Sequence, residues 1–292
     1  MRWTPGRRNE NLEDRRGESG GMGFGGGGGG GGGIRLGLGG TVVVLVLSLI
    51  FRKDLFTELD GGADPTLSTQ APATGAPVAS SAAENRTVEF ANFMLNDTEQ
   101  TWGEIFTAGG QQYQTPKLVL FRDGIKSACG FAQSATGPFY CPGDRKVYVD
   151  LGFFDELSQR FGAPGEFARA YVLAHEFGHH VQNLLGTEQK LRRAQQENPQ
   201  SGNALSVAME LQADCFAGIW AASANKRGVV EPGDIEGGLK AAAAVGDDRL
   251  QKMGQGYVNP ESFTHGSSAQ RMQWFQRGYS EGKISSCDTF SR

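Results

Sequence analysis

At 292 residues the chain has length for one or two domains, but 44 glycines and only 38% apolar residues support a single core. A net charge of −4, with no basic face in the part able to fold, argues against nucleic acid as a partner. Only four histidines and four cysteines are present, so any clustering among them carries information.

Residues 1–35 combine scattered arginines (Arg2, Arg7, Arg8, Arg15, Arg16, Arg35) with an unbroken glycine run from Gly25 to Gly33. A phosphate-binding loop would need a strand before the glycines and Gly-Lys-Ser/Thr after them, and neither is there. The stretch reads as a disordered cytoplasmic tail. Residues 36–51 (LGLGGTVVVLVLSLIF) are apolar nearly throughout and bracketed by Arg35 and by Arg52-Lys53. They are expected to form one transmembrane helix, slightly short of the usual 20 or so residues. The competing reading, a cleaved signal peptide, lacks a small-residue cleavage site directly after the apolar run. Basic residues are denser before the segment than after it, which predicts a single-pass cell-membrane protein. Its N-terminus is then cytoplasmic and its folded domain periplasmic or extracellular. Residues 52–85, rich in Ala, Pro, Ser and Thr, read as a disordered spacer, leaving residues 86–292 as the folded domain.

From Arg86 to Ala108 the apolar spacing predicts one or two helices, with Asn96-Asp97-Thr98 as a break and cap. Lys117–Phe121, Gly137–Tyr140 and Lys146–Val149 read as strands, the last two joined across Pro142-Gly143-Asp144, and together predict a small antiparallel sheet. Lys146, Val147, Tyr148 and Val149 are either an edge strand able to pair with an extended peptide or an ordinary core strand. Four cysteines in an exported domain suggest disulfides. Of three possible pairings, Cys129–Cys141 would staple a short excursion and leave Cys215 with Cys287.

The helical half begins near Phe153. Phe167, Ala170, Tyr171, Ala174, Phe177 and Val181 recur at three- and four-residue spacing, and within that helix lies His175-Glu176-Phe-Gly-His179. Histidines four apart share a face and can reach one zinc ion, while Glu176 can act on a metal-bound water. Downstream, Leu205–Ala224 is predicted as a helix buried on most sides, yet it carries Glu210 and Asp214. Buried carboxylates need partners. Glu210 is a candidate third ligand, and Asp214, one turn on, a candidate to orient either His175 or His179. Cys215 lies five residues from Glu210, points away from it and is rejected as a ligand. His180 faces about 100° away from His179 and is read as structural.

His-Glu-Phe-Gly-His-His-Val-Gln, Glu-Leu-Gln-Ala-Asp and the later Phe-Thr-His-Gly-Ser-Ser-Ala-Gln-Arg resemble the YpfJ-type neutral zinc metallopeptidase family and, more broadly, the gluzincins. In outline the resemblance covers the whole chain, including the glycine-rich N-terminus and a membrane anchor. It implies a zinc cofactor, a peptide or protein substrate, and Asp214 serving His175. It also implies that His265, otherwise readable as a structural helix-entry residue, stabilises a tetrahedral oxyanion, with Arg271 in support. The expected fold is therefore α+β: a mainly helical zincin-like domain with a small sheet, behind one transmembrane helix. The expected function is a membrane-anchored zinc peptidase of the cell envelope; the alternative is a zinc-stabilised, non-catalytic binding or chaperone-like module.

Overall fold

The computed structural model describes residues 1–18, 81–133 and 137–291. Their strands are β1 (Leu12–Asp14), β2 (Lys117–Phe121), β3 (Gly124–Ser127), β4 (Gly130–Gln133), β5 (Phe139–Cys141) and β6 (Lys146–Asp150). The α-helices are α1 (Ala82–Ala108), α2 (Phe153–Gln159), α3 (Glu166–Leu184), α4 (Thr187–Glu197), α5 (Gly202–Lys226), α6 (Asp234–Ala244), α7 (Asp247–Gln255) and α8 (Ser268–Glu281). The class is α+β and mainly helical, as expected.

The sheet differs from the expectation. Its order is β1-β2-β6-β5, with β1, β2 and β6 mutually parallel and only β5 antiparallel; β3 and β4 form a separate antiparallel hairpin. After Lys117, β2 is apolar at every position and buried on both faces, which is the pattern of an interior parallel strand. The β3–β4 hairpin and β5 take up the intervening chain, so β6 returns beside β2 in parallel. Consequently Lys146, Val147, Tyr148 and Val149 do not form an edge: β2 pairs them on one side and β5 on the other. Among the described residues the edges of this sheet are β1 and β5.

The tail expectation also needs correcting for residues 1–18, which belong to the folded domain. Leu12 pairs in register with Leu118 and is buried. Trp3 packs on Phe90 and Phe93 and donates to Glu166 at 3.0 Å. Asn9 donates to Asn96 and Glu99, and Glu13 bridges Lys117 (2.7 Å) and Lys146 (2.9 Å). A segment with so few apolar residues has no periodicity to reveal it; it is held by polar and ionic contacts to elements far along the chain. The expected transmembrane helix at residues 36–51, the glycine run and most of the spacer lie outside the described residues. Among the described residues no helix is long and apolar enough to cross a membrane.

No break interrupts α1 at Asn96-Asp97-Thr98. Thr98 bonds back to the Met94 and Leu95 carbonyls, and buried Asp97 accepts from Trp220 and Arg227. Tertiary partners satisfy residues that would otherwise favour a cap.

Two close helix crossings set the helical layer. A Cβ on Gly178 of α3 would stand 3.0 Å from the Ala213 carbonyl oxygen of α5, so glycine is what lets these helices approach. Along the other side of α5, Gly218 and Gly278 bring α5 and α8 together so tightly that any side chain would overlap the opposing backbone. Disulfides join Cys129 to Cys141 and Cys215 to Cys287, the second tying α5 to the C-terminal segment. No cysteine among the described residues is free.

Candidate metal centre

Helix α3 buries its apolar stripe in the core, and this turns the opposite face, with His175 and His179, toward α5. Through the Gly178 contact, Glu210 arrives from α5 between the two rings. His175 Nε2 lies 3.2 Å from Glu210 Oε2, and His179 Nε2 lies 3.5 Å from Glu210 Oε1. One ligand atom from each residue falls within 4.8 Å of the others. Zinc at about 2.0–2.2 Å from tetrahedral ligands requires those ligands to stand about 3.3–3.6 Å apart. The donor set is therefore that of a zinc site, and each imidazole Nε2 stands close to that spacing from one of the two Glu210 oxygens.

The potential in the cage matches. Burial disfavours an imidazolium at His175, but the Asp214 charge and hydrogen bonds to Asp214 and Glu210 push the group up to about 10. Negative charge thus flanks both ring nitrogens, Asp214 at Nδ1 and Glu210 at Nε2, the nitrogen that a metal cation would take. Burial opposes ionisation of Glu210, but His179, His265 and His175 outweigh it and hold the carboxyl well below its usual range. For Glu176, burial wins over His179 and His175 and raises the carboxyl. That is the direction a general base working near neutrality needs.

Asp214 reaches His175, not His179. Its Oδ1 accepts from His175 Nδ1 at 2.9 Å and from the Tyr171 hydroxyl at 2.5 Å. Arg271 clamps the same carboxylate in two-point fashion, Nε to Oδ2 at 2.8 Å and Nη2 to Oδ1 at 3.0 Å. Arg271 is buried on α8, whose Ser267–Gln270 capping box fixes its first turn. A buried aspartate, arginine, tyrosine and histidine thus satisfy one another, which makes an otherwise costly burial tolerable.

His265 sits in the loop before α8, two-tenths exposed at its side chain and held by Asp247. Asp247 Oδ2 accepts the backbone N–H groups of Thr264 (2.7 Å), His265 (2.6 Å) and Gly266 (3.0 Å), while Oδ1 faces His265 Nδ1 at 3.2 Å. Burial lowers and the charges of Glu210 and Asp247 raise the His265 ring, with a net upward shift. His180 is buried and hydrogen-bonded through both nitrogens: Tyr140 donates to its Nδ1 at 3.0 Å and its Nε2 donates to the Gln114 carbonyl at 2.6 Å. Burial depresses it to about 4. Cys215 is occupied by its disulfide and takes no part in the cage.

Three contributors had no role assigned from sequence: Asp247, Tyr171 and Gln182. Asp247 opens α7, eighteen residues before the histidine it holds, and nothing local links the two. Tyr171 was counted only as part of the apolar stripe. Gln182, three residues after His179, accepts from His179 Nδ1 through Oε1 at 2.8 Å. Its spacing was the one available signal, since positions three apart on a helix are neighbours.

An HExxH helix and a carboxylate helix converging on one point define a protein of the zinc-site type, built on an α+β scaffold. The chain belongs to the family described as "Putative neutral zinc metallopeptidase", whose model matches residues 1–290. It is 46% identical over 293 residues to the uncharacterized protein YpfJ of Escherichia coli (strain K12), covering 100% of this chain and 99% of that protein. It is 48% identical over 207 residues to the uncharacterized proteins Mb2605 of Mycobacterium bovis and Rv2575 of Mycobacterium tuberculosis, covering 67% of this chain and 68% of each relative. No solved structure matches it.

Proposed function

We propose that the chain is a zinc-dependent peptidase, with His175, His179 and Glu210 as the metal ligands. The observation that carries this reading is the convergence of those three side chains, with buried Glu176 beside them. Zinc held there supplies a Lewis acid that polarises the scissile carbonyl and lowers the pKa of water toward about 7. Glu176 takes the proton from the attacking water as the new C–O bond forms, then delivers it to the leaving amine nitrogen as the C–N bond breaks. His265, carried by Asp247, donates to the oxygen that gains charge in between. Asp214 holds His175 in the tautomer that leaves Nε2 bare. For an extended substrate, the available sheet edge beside α3 is β5, whose Tyr140 hydroxyl contacts His180 and Asn183.

Purified protein is expected to carry one zinc per chain and to cleave unfolded peptides until a chelator is added. Glu210→Ala should lose the metal. Glu176→Gln should keep it and lose turnover by about 10²–10⁴-fold. Full cleavage by Glu176→Gln would overturn the mechanism. Stoichiometric zinc without cleavage by the wild type would favour the binding-module alternative.

Two disulfides support an oxidising, extracytoplasmic location. Residues 1–18 pack onto the rest of the described domain, so both must lie on the same side of any membrane. A single crossing by residues 36–51 with the N-terminus left in the cytoplasm would pull the two apart. The location we propose is therefore the cell envelope, with residues 1–18 and the rest of the folded body on the same, outer side of the membrane. Cysteine labelling of intact cells should reach a site placed in residues 1–18 and one placed on the domain alike; protection of the first alone overturns this arrangement.

A further inference from the structure

The two histidines of the cage are backed by different chemistry. His175 leans on a carboxylate, whereas His179 leans on a neutral amide, Gln182, which is fully buried. A side-chain amide can present either end, so something must choose which end faces the ring. The choice is made by the carbonyls behind it, that of Met209 directly and that of Cys287 through Gln212. The backbone carbonyl of Cys287 can only accept, and Gln212 donates Nε2 to it at 2.9 Å. Gln212 must then turn Oε1 toward Gln182, which donates Nε2 to that oxygen at 3.2 Å and to the Met209 carbonyl at 2.7 Å. Gln182 is left with Oε1 toward His179, so Nδ1 has to be the nitrogen that donates. In the neutral ring the Nε2 lone pair then faces Glu210.

We propose that Gln182 is a positioning residue that locks His179 in its Nδ1–H tautomer, its own orientation dictated by Met209, Gln212 and the Cys287 carbonyl. The Cys215–Cys287 disulfide fixes the end of that chain against α5, the helix that carries Glu210. The amide cannot take up the proton, as a carboxylate can, so it directs the lone pair without adding negative charge to the cage. The inference rests on the reading of His179 as a metal ligand.

The test uses the full chain, zinc-free and ¹⁵N-labelled at histidine, in mildly alkaline buffer. Only four histidines need assigning. Two-bond ¹H–¹⁵N correlation should show His179 as the Nδ1–H form in the wild type and a mixture of tautomers in Gln182→Leu. Zinc affinity, read by competition with a chromophoric chelator, should fall about 10–100-fold in Gln182→Leu. It should fall less in Gln212→Leu, where Met209 still orients Gln182. A wild-type His179 found as Nε2–H overturns the inference, as does a Gln182→Leu protein with unchanged tautomer and affinity. If Gln182→Leu does not fold, the wild-type tautomer and Gln212→Leu decide. A wild type that binds no zinc removes the peptidase reading, while the zinc-free tautomer still tests the amide chain.

Discussion

The crossing of α3, α5 and α8 and the docking of residues 1–18 hold distant parts of the chain together by opposite means. At the crossing, backbones meet through Gly178, Gly218 and Gly278, and the charges between them are fully buried and mutually satisfied. At the N-terminus, Leu12 is buried beside Leu118, while around it lie partly exposed ion pairs, amide bonds and the Trp3 ring packed on Phe90 and Phe93. Buried networks are strong in cooperation and severe when broken, whereas exposed ion pairs contribute little each. The chemistry sits where the tolerance for change is smallest.

The sharpest way to break this contrast is at Asp214. Replacing it with alanine leaves the Arg271 guanidinium buried without its carboxylate and frees the Tyr171 hydroxyl. The expected loss is about 3–5 kcal/mol in chemical denaturation, together with weaker zinc binding. Gly278→Ala forces a methyl into the Cys215 carbonyl and should destabilise by about 3 kcal/mol, lowering the thermal midpoint without touching any ionisable group. An unchanged midpoint would mean that the two helices can part without cost.

His180 offers a gentler probe of the same buried layer. Its folded value of about 4 lies below the unfolded value of about 6.5, so between them the unfolded chain binds more protons. Stability should fall as the pH drops from about 6.5 toward about 4, by at most about 1.4 kcal/mol per pH unit. The zinc-free protein should show this slope and its His180→Gln variant a flatter one. The smallest effect belongs to the docked segment. Burial opposes ionisation of Glu13, but Lys117 and Lys146 lower its carboxyl overall. Glu13→Gln should cost no more than about 1 kcal/mol, and less at high salt. A loss as large as that of Asp214→Ala would erase the distinction between the two regions.

Much of the cage was readable because a helix converts residue spacing into direction. His175 and His179, and likewise Glu210 and Asp214, stand four apart, and each pair must share a face of its own helix. The burial of α5, the solvated character of α4 and the β5–β6 hairpin followed from composition and turn residues in the same local way. Four other features were invisible at that level. Whether Asp214 serves His175 or His179 was open from spacing and became definite only where α5 meets α3 through Gly178. Whether Lys146–Val149 is an edge depends on β2, which lies beyond the β3–β4 hairpin in sequence and closes the side that β5 leaves open. Asp247 and Gln182 act through partners whose identity their own segments do not encode.

By itself the amino-acid order determined which residues each element presents on a given face, since a helix or strand needs only its own backbone geometry for that. Tertiary structure decided which faces meet, and so which carboxylate orients which imidazole, which way an amide points, and where residues 1–18 lie. Those outcomes depend on contacts between segments tens to more than a hundred residues apart, where shape and charge select the partner and spacing along the chain carries no signal.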